Sequence, residues 1–135
     1  MRHISEIVRD RQPVTLSPKA TVKHACQCMR DRRVGAVLVT DKDHRLAGIF
    51  TGRDALCRAL SDAAETTLGE VMTGDPCTMP PATPAIEALR LMRDGDLPHV
   101  PVVAGGKVVG VASHGDFRGL EHARLDEETG LWERI

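Results

Sequence analysis

Two short stretches carry the residues best suited to chemistry. "TGRD" (51–54) sets Thr51 three positions before Asp54, and "SHGD" (113–116) sets Ser113 three positions before Asp116. An ionised carboxylate offers two acceptor oxygens, able to take two adjacent hydroxyl donors at once. A hydroxyl residue where a strand gives way to a helix sits near free backbone N–H groups and the positive end of the helix dipole, a place suited to phosphate. The same spacing is also a capping box, in which the two side chains satisfy the first donors of a helix. The two uses are compatible: Thr51 can cap while Asp54 faces a ligand. Arg53, His99 and His114 are positioned in sequence to add donor or positive groups nearby.

Other chemistries find no footing. Cys26 and Cys28 are two apart inside a helical pattern, where their side chains diverge, and Cys57 and Cys77 stand alone, so the four cysteines read as reduced thiols without a framework. The six histidines show no HxH or HExxH spacing, and no metal site is expected. No nucleophile–base pair or paired acid–base constellation can be assembled, so no enzymatic activity is expected.

Composition narrows the partners. Eighteen Lys+Arg against nineteen Asp+Glu leave a formal charge of −1, which creates no field for nucleic acid or an anionic membrane. Phe50, Phe117 and Trp132 are too few for base stacking and leave the core to aliphatic side chains. Apolar runs such as 34–40 fall short of the roughly 18 residues that cross a bilayer, and "MRHISEIVRD" lacks an apolar signal core. The expectation is a soluble cytoplasmic protein.

The elements that position these residues come as a repeat. "PVTLSPKATVKHACQCMRD" (13–31) lies over "PCTMPPATPAIEALRLMRD" (76–94) at an offset of 63, with Pro13/Pro76, Thr15/Thr78, Pro18/Pro81, Ala25/Ala88, Met29/Met92 and Asp31/Asp94 coinciding. "ISEIV" over "LGEVM" upstream, and 48–54 over 110–116 downstream, extend the match, with "SDAAETT" (61–67) as the join. In each copy a proline-bracketed extended piece precedes an apolar stripe at helical spacing: Val22, Ala25, Cys26 and Met29, then Ala85, Ala88, Leu89 and Met92. Two strands follow, "GAVLVT" with "RLAGIFT" and "HVPVVA" with "KVVGVAS", joined by short turns, and a second helix starts at the Thr/Ser-x-x-Asp. The fold class is therefore α/β (α+β): two β-α-β-β-α units, 3–61 and 66–122, packed sheet to sheet about a pseudo-twofold axis, with 123–135 as an extension. A unit of this size cannot cover strands that are apolar on both faces by itself, whereas two together can. The pairing leaves clefts in which strand ends and helix starts converge.

The two copies of this ordered pattern resemble a tandem pair of CBS (cystathionine-β-synthase-type) domains, a Bateman module of the small stand-alone prokaryotic kind, over nearly the whole chain. The resemblance implies a regulatory module that senses an adenosyl ligand, AMP, ADP, ATP, S-adenosylmethionine or NAD(H), and signals to a regulated protein. It also implies a homodimer; the tail with Leu125, Leu131, Trp132 and Ile135 reads equally as support for that interface or as a segment packed back on its own domain. Carried onto this chain, Asp54 and Asp116 hold ribose, Thr51 and Ser113 face phosphate, and Thr15 and Thr78 line the base or phosphate end. The backbone of Gly35, Ala36 and Val37, and of Pro98, His99, Val100 and Pro101, flanks the adenine. Pro98 stands where many relatives carry a basic residue, and Gly115 stands where the first copy has Arg53, so the Asp54 cleft is the better equipped for phosphate. A structural or dimerisation protein with empty clefts is the alternative.

Overall fold

The computed structural model describes residues 2–8, 12–57 and 63–117. A short helix α1 (Ile4–Val8) is followed by β1 (Thr15–Leu16), α2 (Val22–Arg32), β2 (Ala36–Thr40), β3 (Leu46–Thr51) and α3 (Gly52–Cys57). Then come α4 (Leu68–Val71), β4 (Thr73–Gly74), α5 (Ala85–Asp94), β5 (His99–Ala104), β6 (Lys107–Ser113) and a 3₁₀ turn over His114–Phe117. One sheet runs β1-β2-β3-β4 with only the β1–β2 pair parallel; the other is the β5–β6 hairpin.

The helical stripes form as their spacing dictates. Val22, Ala25 and Met29 are buried with Cys26 half-buried, and Ala85, Ala88, Leu89 and Met92 are all buried. Thr21 opens α2 by accepting the His24 N–H at 3.1 Å. Both helices close alike: the N–H of Val34 reaches the Met29 carbonyl at 3.0 Å and that of Leu97 reaches Met92 at 2.8 Å. Arg33 and Asp96, just before those donors, take left-handed φ of 54° and 50°.

β2 is buried along its whole length because its two faces meet different cores. Val37 and Val39 join Val14, Val22, Ala25, Met29, Phe50, Leu68 and Val71, whereas Ala36 and Leu38 face Ile49, Leu46, Val108 and Val111 at the seam between the sheets. That seam makes the apolar run continuous instead of alternating. The second copy departs from the expected pattern in two places. "PCTMPP" forms no strand and keeps a single parallel bridge, Met79 to Val102, because the prolines around it have no N–H to extend a ladder. The helix expected from Ser113 begins as the 3₁₀ turn, and its continuation lies outside the described residues, as does the tail.

The cores do not follow the repeats as written. Ile4 and Val8 of α1 are buried with Met79, Ala88, Leu89, Met92, Val100, Val102, Ala112 and Phe117 of the second copy. The backbone ties match: Ile4 N–H donates to the Thr83 carbonyl at 2.8 Å and Ala85 N–H to that of Arg2 at 2.8 Å. Correspondingly, Leu68 and Val71 of α4 complete the first core, with Leu68 N–H on the Ala20 carbonyl at 2.8 Å and Val22 N–H on that of Thr66 at 2.9 Å. Each segment preceding a copy thus packs into the other copy. The glycines that open "GIFTGRD" and "GVASHGD" make room for it. A Cβ on Gly48 would lie 2.6 Å from Met72 Sδ and 2.8 Å from the Thr73 carbonyl oxygen, and one on Gly110 would lie 2.8 Å from Val8 Cγ2.

Candidate ligand clefts

Thr51 ends β3 and Asp54 lies in the first turn of α3, and the capping box forms between them. Asp54 Oδ2 accepts from the Thr51 N–H at 2.9 Å and from its hydroxyl at 3.0 Å, while Thr51 Oγ1 accepts the Asp54 N–H at 3.3 Å. Both donors converge on Oδ2, so the cap itself makes no use of Oδ1. The Gly52 N–H is also spent, on the Gly35 carbonyl at 3.0 Å. In the second copy the Ser113 N–H donates to Asp116 Oδ2 at 2.7 Å. Capping, one of the two uses of the motif, is therefore realised in both copies.

Asp54 opens onto a cavity of about 410 Å³ walled by both copies: Gly35, Ile49, Thr51, Gly52, Arg53, Asp54, Thr73, Pro76, Cys77, Asp96, Leu97, Pro98 and His99. Its size falls in the usual range for small-molecule sites, about 300–1,000 Å³. A second cavity of about 160 Å³ is lined by Gln12, Pro13, Val14, Arg33, Val34, Gly35, Ala36, His99, Val111 and Ser113. The two are counterparts: Ala36 pairs with Thr51 as His99 pairs with Ser113.

The structure thus brings Gly35, Thr51, Arg53, Asp54, Pro98 and His99 together in the larger cleft, and Gly35, Ala36, His99 and Ser113 in the smaller. Val37 and Val100 point into the two cores, and Pro101 is buried without reaching either lining. Thr15 and Thr78 line neither cleft; the preceding residues, Gln12–Val14 and Pro76–Cys77, take those walls. His114 is exposed and Asp116 half-buried, both beside the smaller lining without contributing to it. Sequence reasoning missed Thr73, Cys77, Asp96, Gln12 and Arg33. For Arg33 and Asp96 a signal existed: they are 63 positions apart, the offset of the repeat.

His99 is common to both linings, and a Cβ on Gly35 would lie 2.9 Å from its ring, so only glycine admits the imidazole there. Its Nδ1 is buried and has no hydrogen-bond partner among the described residues. Burial holds this imidazole below the ordinary histidine range; His114 pushes the same way and Asp116 opposes. The unfolded chain therefore takes up the proton first. His99 should leave stability level above about pH 6.5 and lower it as pH falls further, until the folded form also protonates. Denaturation midpoints between about pH 5 and 8 should fall less steeply toward acid in His99→Asn than in the wild type. An identical slope would mean that His99 is not its source.

The CBS-domain sequence profile matches residues 4–60 and again 68–122. The chain belongs to the CBS-domain family. As a CBS pair it is 28% identical to a putative acetoin utilization protein of Vibrio cholerae whose structure superposes with a TM-score of 0.81, covering 96% of this chain and 97% of that one. A CBS-domain protein of Pyrobaculum aerophilum, complexed with AMP, superposes with a TM-score of 0.78 at 28% identity, over 87% of this CBS pair and 91% of the other chain. The CBS domain-containing protein CBSCBSPB1 of Arabidopsis thaliana is 37% identical over 105 residues, 76% of this chain and 19% of that protein. This CBS pair spans about a fifth of the length of such curated relatives. Among the described residues no helix is long and apolar enough to cross a membrane, and no three His, Cys, Asp or Glu side chains group as metal ligands would.

Proposed function

We propose that this CBS pair is a regulatory module that binds an adenosyl ligand in the larger cleft and passes the bound state to a partner protein, acting through binding and not through catalysis. One observation carries the reading: a carboxylate fixed by the Thr51 cap at the wall of a cavity of about 410 Å³ built by both copies. Held on one oxygen, Asp54 keeps a lone-pair edge for a ribose diol, and Leu97, Pro98 and Ile49 supply apolar surface for a base. The AMP complex of the similar Pyrobaculum aerophilum protein supports the ligand class. A ligand that bridges walls from both copies favours one arrangement of them over others, and that bias is what a partner would read.

Thermal unfolding with AMP, ADP, ATP, S-adenosylmethionine and NADH tests this. A true ligand at a hundred times its Kd should stabilise the fold by about 2.7 kcal/mol. No shift with any of the five would sink the reading and leave a structural or dimerisation module.

A further inference from the structure

The two clefts carry opposite charge at one matching position. Asp96 lines the larger cleft and Arg33 the smaller. Each follows the last turn of its copy's first long helix in the left-handed conformation, with φ of 50° and 54°, so the backbone sends both side chains the same way within their copies. Among the described residues, the lining of the larger cleft then holds two carboxylates, Asp54 and Asp96, against the one guanidinium of Arg53. Of the N–H groups that a phosphate would seek around the start of α3, three are already given away: Thr51 to Asp54, Gly52 to Gly35, and Asp54 to the Thr51 hydroxyl. The Thr51 hydroxyl proton also goes to Asp54. His99 adds no charge to offset this at neutral pH, being held below the usual histidine range by burial.

We propose that the larger cleft selects a nucleoside ligand without phosphate, uncharged or cationic at its 5′ end, and that Asp96 is the residue that sets this selection. The inference rests on the reading that this cleft holds an adenosyl ligand. It adds the sign of charge the ligand bears, which the Thr51–Asp54 motif alone would have assigned the other way. Asp96 at the rim meets whatever extends beyond the ribose, and like charges brought together there cost affinity for the wrong ligand without adding to that for the right one.

The test is isothermal titration of the full chain with adenosine, S-adenosylmethionine, AMP and ATP. Wild type should bind adenosine and S-adenosylmethionine more tightly than AMP, with ATP weakest. Asp96→Asn should narrow the adenosine-to-AMP gap by about three- to fivefold, the scale of one partly exposed charge interaction. Asp96→Arg should reverse the order, and Arg33 shows that arginine is accommodated in this backbone conformation. If AMP or ATP binds wild type more tightly than adenosine, or if neither variant changes the ratio, the charge selection is wrong while the adenosyl reading stands. If none of the four binds, both fall together.

Discussion

Ile4→Ala should destabilise the protein by about 2–5 kcal/mol, and the damage should appear in the second copy and not the first. Ile4 is fully buried among the side chains of α5, β5 and β6, although those elements lie more than eighty residues further along the chain. Removing its outer carbons leaves a void between α1 and the hairpin, and the backbone ties of residues 2–5 to Pro81, Thr83 and Ala85 limit how far α1 can move to fill it. Equilibrium denaturation gives the size of the loss, and native-state hydrogen exchange its location. Protection should fall at the amides of β5 and β6 and hold in β2 and β3. A loss below about 1 kcal/mol, or an even fall in protection across both sheets, would mean that α1 is not integral to that core.

Asp54→Asn and Asp54→Ala should separate the two duties of this carboxylate. Asn keeps an oxygen able to accept from the Thr51 N–H, so stability should stay close to wild type. With that oxygen engaged, its amide offers donors where a ribose needs acceptors, and Kd for adenosine should rise at least about tenfold. Ala removes the cap as well and should cost roughly 1 kcal/mol of stability besides the binding. Asp116→Ala should leave binding nearly unchanged, because the cavity beside it holds about 160 Å³ and Asp116 is not in its lining. Titration calorimetry and denaturation on the same preparations supply both readouts; full-strength binding by Asp54→Asn would remove Asp54 from the site.

Much of this was legible in the residues. The repeat, the apolar helix stripes, both hairpins and the pairing of the copies followed from spacing, since Met29 over Met92 and Val37 beside Val39 admit few other arrangements. The exchange of α1 and α4 was not, because an amphipathic turn such as "ISEIV" shows that it has an apolar face and not which core covers it. Gly48 and Gly110 held the clue, as small residues repeated where a foreign segment must pass. β4 stayed hidden because "TG" carries no pattern of its own and pairs by lying beside Gly48 and Ile49. In the clefts, Asp54 and Thr51 could be found from their own spacing. Asp96 showed itself only through the repeat, 63 positions after Arg33, because a charge at the end of a helix otherwise looks solvated.

The exchange also makes the two cores unequal along the chain. Among the described residues, everything in the first core, from Val14 to Met72, falls within one stretch of the sequence, whereas the second needs residues 4–8 and 79–117 together. The architecture is one unit nested inside another. On a ribosome the described parts of the inner unit are all present once β4 has emerged, while α1, made before them, waits for the outer unit to be finished. Closing that long loop adds only a slowly growing entropic cost, but it orders events: inner unit first, then the outer one clasped around it. The larger cleft draws walls from both, so it exists only after the clasp has closed.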